Sequence, residues 1–497
     1  MRDDAGTTRP DLDQIAQIAS DFGADLSAAE LRRYRALLDA AFNSYDRLEE
    51  ILQTAPQPLK SRDRGHAPSA EENPFNAWSW KCGIAGAPDG PLRGKRVSVK
   101  DNISVAGLPM ATAVPIPPGY IPEFDATVVR RCLEAGAEIV GKAAMSKPSA
   151  PSYAVRNPHD PARYAGASSG GGAVLVATGQ SDLSIGTDQG GSVRIPAAWC
   201  GVYGLKPTFG LVPYTGIVPM ELTLDHPGLL AATVADLAAL LQALAGEDGF
   251  DPRQNGVRGE NYRESLGRGV EGIRIGVLTE GFGLSESDLE LDEVVRRAIG
   301  GLKELGAEVH DVSIRAHSNG VHLFHAIHRE GMAALLAHDV GSGSWKGPAP
   351  MWPSLQRAFA LGPRPASNLP EALLVPAIAG EHMHRLHGGR DYAKAQALGR
   401  ELSAAYDEAF EDVDLLVMPT LPQKPPLLDD VGGQVEKGVE SAYGNMSPFN
   451  VTGHPALTVP CGRFENLPVG MQLVGPRWGE AKVLQVAYAF EHGGGIH

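Results

Sequence analysis

Cysteine is scarce in this sequence, and its copies lie far apart. The chain has four cysteines and no Cys-x-x-Cys pair: Cys82, Cys132, Cys200 and Cys461. This spacing argues against a disulfide scaffold and against a thiolate zinc site. Unpaired cysteines are typical of a reducing compartment, so we expect a cytoplasmic protein.

Basic residues are also scarce relative to acidic residues. Lysine and arginine total 44 against 59 aspartates and glutamates, which gives a formal net charge of −15. Nucleic-acid-binding proteins need a basic face and anionic membranes attract basic segments, so we expect neither partner. The N-terminus has no apolar secretory core, and the most apolar later stretch, residues 233–246, is too short to span a membrane.

The first 54 residues have a helical pattern. Ser27 and Glu30 form a capping box, and apolar residues then recur every three or four positions as far as Leu52. A helix this long must pack against the main body or a partner chain. Residues 55–77 are rich in proline, serine and charge, as is typical of a linker. We therefore predict a helical domain with its linker at 1–77 and a larger domain at 78–497.

Short apolar runs alternate with helical patterns in the larger domain. Residues 96–100 and 272–278 are among the predicted strands, and residues 126–135 and 289–305 are among the predicted helices. This alternation predicts an α/β fold whose sheet is covered by helices on both faces. Region 315–390 mixes helical pieces with proline and glycine breaks, and we interpret it as an insertion over the functional site.

Two clusters of small residues carry the strongest functional signal: GASSGGG at 166–172 and GTDQGGS at 186–192. Each pairs serine with glycines that let the backbone curl and expose N–H groups. Neither cluster has the lysine of a phosphate-binding P-loop or the spacing of a dinucleotide fingerprint, and we expect no cofactor. Two glycine-rich turns without chemistry are the alternative.

The clusters contain part of what acyl transfer requires, namely an activated nucleophile, a base and donors for the oxyanion. A serine behind a Gly-Gly turn provides the nucleophile, and the N–H groups of the turn provide the donors for the oxyanion. Neither cluster contains histidine, but Lys100 ends the apolar run 96–100. Burial lowers the pKa of a lysine, and a neutral amine is what a general base requires. An ordinary surface lysine at a strand end is the alternative interpretation.

The two clusters together resemble the amidase signature family. The first serine of GASSGGG is followed 24 residues later by the serine of GTDQGGSVRIPAAWCGVYGLKPT, and VSVKDN (97–102) matches the family's lysine motif. Residues 449–460 and 467–476 resemble its later blocks, so the resemblance covers about residues 78–490. It implies an α/β core with a mixed central sheet.

The resemblance implies a Ser–cis-Ser–Lys triad. On the matching positions, Ser192 is the nucleophile, Ser168 is the bridging serine with the cis peptide, and Lys100 is the base. The sequence departs from the family pattern at Ala167, where glycine is usual, and at Gly172, where serine is frequent. Neither departure touches the triad.

The resemblance also implies an oxyanion hole made of backbone N–H groups, which belong to Gln189, Gly190, Gly191 and Ser192. Asp188 and Arg194 flank the nucleophile, and we predict a structural ion pair that fixes the turn. Lys206 is an alternative base, but the family pattern places it in a structural turn.

Six histidines lie in or near region 315–390: His322, His325, His328, His382, His384 and His387. The first three share one helix face. No cysteine or acidic partner accompanies them at metal-ligand spacing, so we expect no metal. The lining of a substrate pocket and ordinary surface positions are the two interpretations that remain.

The N-terminal helical segment resembles a subgroup of the family that includes nitrile-hydratase-linked amidases, aryl acylamidases, hydrazidases and urethanases. This implies a homodimer and a small-molecule amide substrate with an apolar or aromatic substituent. A carbamate carbonyl is attacked in the same way, so a urethanase is an alternative. The ammonia-generating subunit of a tRNA-dependent amidotransferase is a further alternative, opposed by the extra N-terminal domain and by Gln189. A non-catalytic scaffold is the last alternative, and the intact triad argues against it.

Overall fold

The chain divides into two units, Met1–Gln57 and Pro58–His497. The computed structural model describes residues 9–50, 62–110, 119–146, 154–166, 168–284, 287–337, 371–430 and 443–493. Within these ranges, none of the helices has the length and apolarity needed to cross a membrane.

The first unit is a pair of helices, α1 (Leu12–Asp21) and α2 (Ala28–Glu50). The predicted capping box begins α2, because the Ser27 N–H donates to Glu30 Oε2 at 2.8 Å and the Glu30 N–H donates to Ser27 Oγ at 3.4 Å. Large apolar side chains of both helices are exposed: Ile18, Phe22, Leu37, Tyr45 and Leu48.

The second unit is built on one sheet of eleven strands among the described residues. The strands are β1 (Trp78–Ile84), β2 (Arg96–Lys100), β3 (Glu138–Ala143), β4 (Leu183–Asp188), β5 (Tyr203–Lys206), β6 (His226–Ala231), β7 (Arg274–Leu278), β8 (Glu308–Val312), β9 (Leu415–Pro419), β10 (Ala456–Phe464) and β11 (Leu467–Val474). Residues 62–77, predicted as linker, belong to this unit, and His66 there exchanges backbone hydrogen bonds with Lys81 of β1 at 2.9 Å.

Helices of the second unit connect and cover these strands. They are α3 (Thr127–Glu134), α4 (Gly170–Ala177), α5 (Arg194–Cys200), α6 (Val234–Leu244), α7 (Leu289–Glu304), α8 (Gly320–Ala337), α9 (Glu371–His387), α10 (Arg390–Asp412), α11 (Pro448–Thr452) and α12 (Glu480–His492). Of region 315–390, residues 338–370 lie outside the described residues.

The sheet is mixed, as the resemblance implies. The strand order is β1-β3-β2-β4-β6-β5-β10-β11-β9-β7-β8. Strand β2 runs parallel to both β3 and β4, and β7 runs parallel to β8 and β9. The remaining neighbours are antiparallel.

Side chains of the central strands alternate between two apolar cores. Leu183 and Ile185 of β4 pack on one face, in the core that also contains residues of α3, α6, α7 and α12. On the other face, Leu230 of β6 packs with Val174 of α4 and Ala197 of α5. This two-residue period is what a sheet buried on both faces requires. The predicted α/β fold with helices on both faces is confirmed.

The pairing of β2 with β4 brings the two sequence motifs together. The strands are parallel, with Val99 opposite Ile185, so their carboxyl ends meet at one edge of the sheet. Lys100 ends β2 and Asp188 ends β4. The candidate functional residues of the two motifs therefore converge at this edge although they are far apart in sequence.

Candidate active site

Lys100 lies buried at the centre of the site. Its side chain is 2% exposed, and its Nζ lies 2.7 Å from Ser168 Oγ, 2.7 Å from Thr187 Oγ1 and 3.3 Å from the Thr187 carbonyl oxygen. Burial lowers the pKa of Lys100 to about 7, although nearby carboxylates such as Asp188 favour the charged form. The alternative of a surface lysine is wrong.

The two serine loops lie against each other. Ser168 and Ser192 are both half-buried, and each comes just before a helix, α4 and α5 respectively. The Ser169 N–H donates to the Ser192 carbonyl oxygen at 3.3 Å, and Ser169 Oγ donates to the Thr187 carbonyl oxygen at 3.0 Å. These bonds hold the loop of Ser168 between Lys100 and the loop of Ser192.

The peptide bond predicted to be cis precedes Ser168 and joins it to Ala167. Ala167 lies outside the described residues, so this bond does too. Every peptide bond between described residues is trans.

The backbone N–H groups predicted to form the oxyanion hole have different surroundings. The Gly191 N–H donates to Asp188 Oδ1 at 2.8 Å, in a backbone conformation with φ of +122° that favours glycine. In the described part of the chain no acceptor faces the N–H groups of Gln189, Gly190 and Ser192. Of the four predicted donors, only Gly191 thus has a hydrogen-bond acceptor among the described residues.

Gly190 lies directly under an aromatic ring of α8. A Cβ at position 190 would lie 2.5 Å from Cζ of Phe324, so a larger residue requires Phe324 to move. The Phe324 ring stacks on His328 and on Tyr443, with centroids 5.2 Å and 6.0 Å apart. Helix α8, part of the segment interpreted as an insertion over the site, thus contributes Phe324 and His328 to an aromatic wall beside the loop 189–192.

The six histidines divide between α8 and α9. Among the residues that the structure describes, no group of histidine, cysteine and acidic side chains has the arrangement of a metal site. Burial lowers the pKa of both His325 and His328 to about 4, so their imidazoles are neutral near pH 7. His382 is exposed, His384 lies 3.8 Å from a Glu330 oxygen, and His387 is hydrogen-bonded to Asp391.

A buried ion pair supports the loop that contains Ser192. Arg194 donates to both carboxylate oxygens of Asp188, at 3.0 and 2.9 Å, and both side chains are fully buried. Burial alone would raise the pKa of Asp188, but the charge and hydrogen bonds of Arg194 lower it well below its usual range. Asn450 of α11 donates to Asp188 Oδ1 at 2.9 Å and accepts from Arg194 at 2.6 Å.

We expect Arg194→Met to destabilise the protein strongly. Removing one partner of a buried pair leaves an uncompensated charge, which costs about 3–5 kcal/mol of unfolding free energy. Urea unfolding followed by fluorescence measures this. Asp89→Asn is the matched control, because the exposed Asp89–Arg93 pair spans 3.8 Å and such pairs contribute about 0–1 kcal/mol. Equal effects of the two variants would contradict the structural role.

Several residues that matter here were missed from the sequence. Thr187 lies inside the second cluster and Asn102 two residues after Lys100, so their nearness to the motifs was an available signal. Tyr214 carries no such signal, yet its hydroxyl accepts a hydrogen bond from Gln189 Nε2 at 3.1 Å. Lys206 is buried away from these contacts and donates to the carbonyl oxygens of Pro207 and His454.

Comparison with known proteins identifies the family of the chain. A family model described as amidase matches residues 71–484. An enantioselective amidase of Rhodococcus rhodochrous is 38% identical, over 98% of this chain and 96% of its own length. A glutamyl-tRNA(Gln) amidotransferase subunit of Halobacterium salinarum is 36% identical, over 84% of this chain and 99% of its own length. The solved structure of the native peptide amidase from Stenotrophomonas maltophilia has a TM-score of 0.65 and 29% identity, over 81% of this chain and 83% of that chain. The chain therefore belongs to the amidase signature family and is an amide-hydrolysing enzyme.

Proposed function

We propose that Lys100, Ser168 and Ser192 form the catalytic relay of this enzyme. The observation that carries the proposal is the 2.7 Å contact between Lys100 Nζ and Ser168 Oγ, made by a buried lysine whose pKa burial lowers to about 7. A substantial fraction of this lysine is neutral near pH 7 and can accept a proton, as a general base must.

The relay leads to a covalent acyl-enzyme. Ser192 Oγ attacks the carbonyl carbon while its proton passes to Ser168 and the Ser168 proton passes to Lys100. The negative charge on the carbonyl oxygen is held by N–H groups of the loop 189–192. As the C–N bond breaks, the proton returns through Ser168 to the leaving nitrogen. Water then attacks the ester carbonyl through the same relay, which releases the acid and restores Ser192.

The N–H groups of Gln189, Gly190 and Ser192 serve as the oxyanion hole in this proposal. Gly191 has a supporting role, because its N–H is bound to Asp188 and so fixes the shape of the loop. Since Asp188 is in turn held by Arg194, the loop is organised before substrate arrives. Donors that need no reorganisation during the reaction are the most effective.

We propose amides with an apolar or aromatic substituent as the substrate class. The aromatic wall of Phe324, His328 and Tyr443 beside Gly190 supports this, because flat apolar groups stack on such surfaces. Carbamates are a second class that the same relay would cleave. Homodimerisation through the N-terminal helices and a cytoplasmic location stay predictions from the sequence.

Because the chain is similar to an amidotransferase subunit, glutamine is also a substrate to be tested. That protein of Halobacterium salinarum matches 84% of this chain, whereas the enantioselective amidase matches 98%. The larger match favours a free-standing amidase over one component of a complex.

Amine release from a small panel tests the substrate class: an aliphatic amide, an anilide, a hydrazide, an aryl carbamate and glutamine. We expect the anilide or the carbamate to be hydrolysed faster than the aliphatic amide, because only these present an aryl group to the aromatic wall. Turnover of glutamine alone would contradict the proposal and support the amidotransferase alternative.

A further inference from the structure

The peptide group between Asp188 and Gln189 is held from one side by a buried amide. Asn450 Nδ2 donates to the Asp188 carbonyl oxygen at 3.0 Å, and the Asn450 side chain is fully buried. This peptide bond is trans. In a planar trans peptide group the C=O and N–H bonds point in opposite directions. A hydrogen bond that fixes the Asp188 carbonyl oxygen therefore also directs the Gln189 N–H away from Asn450.

The orientation of the Asn450 amide is set by its neighbours. A guanidinium only donates, so the Asn450 atom that lies 2.6 Å from Arg194 Nη2 must be the amide oxygen. The amide nitrogen then faces three acceptors, which are the Asp188 carbonyl oxygen at 3.0 Å, Asp188 Oδ1 at 2.9 Å and the Leu224 carbonyl oxygen at 3.4 Å. The side chain at position 450 must therefore accept on one side and donate on the other, as an amide does.

The Gln189 N–H is open on the side that faces away from Asn450. No acceptor among the described residues lies opposite it, and the Gln189 side chain is held separately, by a hydrogen bond from its Nε2 to the Tyr214 hydroxyl oxygen at 3.1 Å. A donor that is fixed before the reaction stabilises an oxyanion without reorganisation. A hydrogen bond to the carbonyl oxygen of a peptide group also polarises its N–H, which makes the N–H a stronger donor.

We propose that Asn450 is a positioning residue that aims the Gln189 N–H at the carbonyl oxygen of the substrate by holding the peptide group between Asp188 and Gln189. The inference deepens the proposed function and rests on it, because it places the Gln189 N–H in the oxyanion hole. Asn450 acts through this peptide group and does not itself bind the substrate.

Asn450 also belongs to the buried ion-pair network, so its effect on catalysis must be separated from its effect on stability. Gln472 offers the matched control. It is also fully buried, and its Oε1 accepts from Arg194 Nη1 at 2.9 Å, but its Nε2 donates to the Asn445 carbonyl oxygen at 2.6 Å. Asn450→Leu and Gln472→Met each remove one acceptor of Arg194 at similar side-chain size. Only Asn450→Leu also removes the hydrogen bond to the Asp188 carbonyl oxygen.

Asn450→Leu is expected to lower kcat about 10–100-fold and to leave KM nearly unchanged. The oxyanion forms only on the way to the acyl-enzyme, so a misdirected donor weakens the transition state and not substrate binding. The loss should be smaller than the roughly 10²–10³-fold cost of removing an oxyanion donor outright. Gln472→Met should lower the temperature of unfolding to a similar extent but keep kcat near the wild-type value.

Steady-state kinetics with the fastest substrate of the panel measures both constants. Complete labelling of Ser192 by a fluorophosphonate counts the active sites, so that unfolded protein does not lower the apparent kcat. Asn450→Ser keeps the test decisive if leucine prevents folding, because serine leaves room for water beside Arg194 but is too short to replace the amide. We expect the same fall in kcat. A trifluoromethyl ketone analogue of the substrate, whose adduct with Ser192 carries an oxyanion, should bind more weakly by the factor lost in kcat/KM.

A double-mutant cycle tests the link to the Gln189 N–H. Replacing the amide between residues 188 and 189 by an ester removes this N–H and keeps the Gln189 side chain. Asn450→Leu should then have almost no further effect on kcat. Effects that multiply independently would overturn the inference, as would an Asn450→Leu variant that resembles Gln472→Met in kcat.

Ser192→Ala separates failure of the inference from failure of the proposed function. If Ser192→Ala stays active, the proposed function fails, and the inference fails with it. If Ser192→Ala is inactive while Asn450→Leu and Asn450→Ser keep the wild-type kcat, only the inference fails.

Discussion

Ser192→Ala is expected to abolish amide hydrolysis while the protein remains folded. Without the nucleophilic oxygen no acyl-enzyme forms, and losing the nucleophile of a serine hydrolase lowers kcat on the order of 10⁶-fold. Ser192 is half-buried at the start of α5, and removing one small oxygen there leaves the apolar cores intact. The folded state should therefore be as stable as in the wild type.

Two measurements check this expectation. Amine release under saturating substrate reports the rate, and thermal unfolding reports the fold. Ser181→Ala is the matched control, because Ser181 is 1% exposed and its Oγ is hydrogen-bonded to Ser98 Oγ at 3.0 Å, before the start of β4 and away from Lys100 and Ser192. We expect full activity from the control. Turnover near the wild-type level in Ser192→Ala would reject the relay.

Lys100→Met is expected to have the second largest effect. Removing a general base costs about 10²–10⁴-fold in rate. Because the proposed relay needs the neutral amine and burial lowers the pKa of Lys100 to about 7, the wild-type rate should rise as the pH passes through about 7. The residual rate of the variant should lack this rise. A variant that kept both the rate and the rise would exclude Lys100 as the base.

The same substitution should not weaken the fold. Lys100 has a pKa of about 7 in the folded protein, below the value of about 10.4 for an unfolded lysine, so the unfolded chain binds more protons between these pH values. The contribution of Lys100 to the free energy of unfolding therefore rises with pH from about 7 to about 10.4. Lys100→Met should lose this rise and be at least as stable as the wild type at pH 7, since methionine fills the same space without a buried charge.

Lys206→Met distinguishes catalysis from the general cost of a buried lysine. Burial lowers the pKa of Lys206 well below its usual value, but its Nζ donates to two carbonyl oxygens rather than to a serine. We expect lower stability, because those carbonyl groups lose a partner, and an unchanged pH profile. A pH profile altered as strongly as in Lys100→Met would support Lys206 as the base instead.

The secondary structure was largely readable from local patterns. The run 96–100 corresponds to β2, and the prediction of a helix at 289–305 corresponds to α7 at Leu289–Glu304. Such segments are encoded by hydrophobic period and capping chemistry within a few residues. The boundary between the units was harder to predict, because the composition of 62–77 suggests a linker although His66 in this segment pairs with Lys81 of β1.

The candidate residues of the site could also be predicted from local sequence patterns. Two Gly-Ser clusters and a lysine at the end of an apolar run are local features, and they identify the family and its candidate nucleophile and base. The predicted oxyanion hole shows the limit of what local sequence patterns can predict. Nothing in the order of Gln189 to Ser192 indicates that the Gly191 N–H is bound to Asp188, since that depends on how the turn folds.

What the sequence by itself determined is thus the type of the predicted elements and the candidate residues for acyl transfer. Only the tertiary structure decided which groups surround them. Parallel pairing of β2 and β4 buries Lys100 beside Thr187, and the chain then returns to place Tyr214 on Gln189 and Phe324 on Gly190. These contacts join residues far apart in sequence, and no local pattern encodes them. The lowered pKa of the lysine follows from that burial.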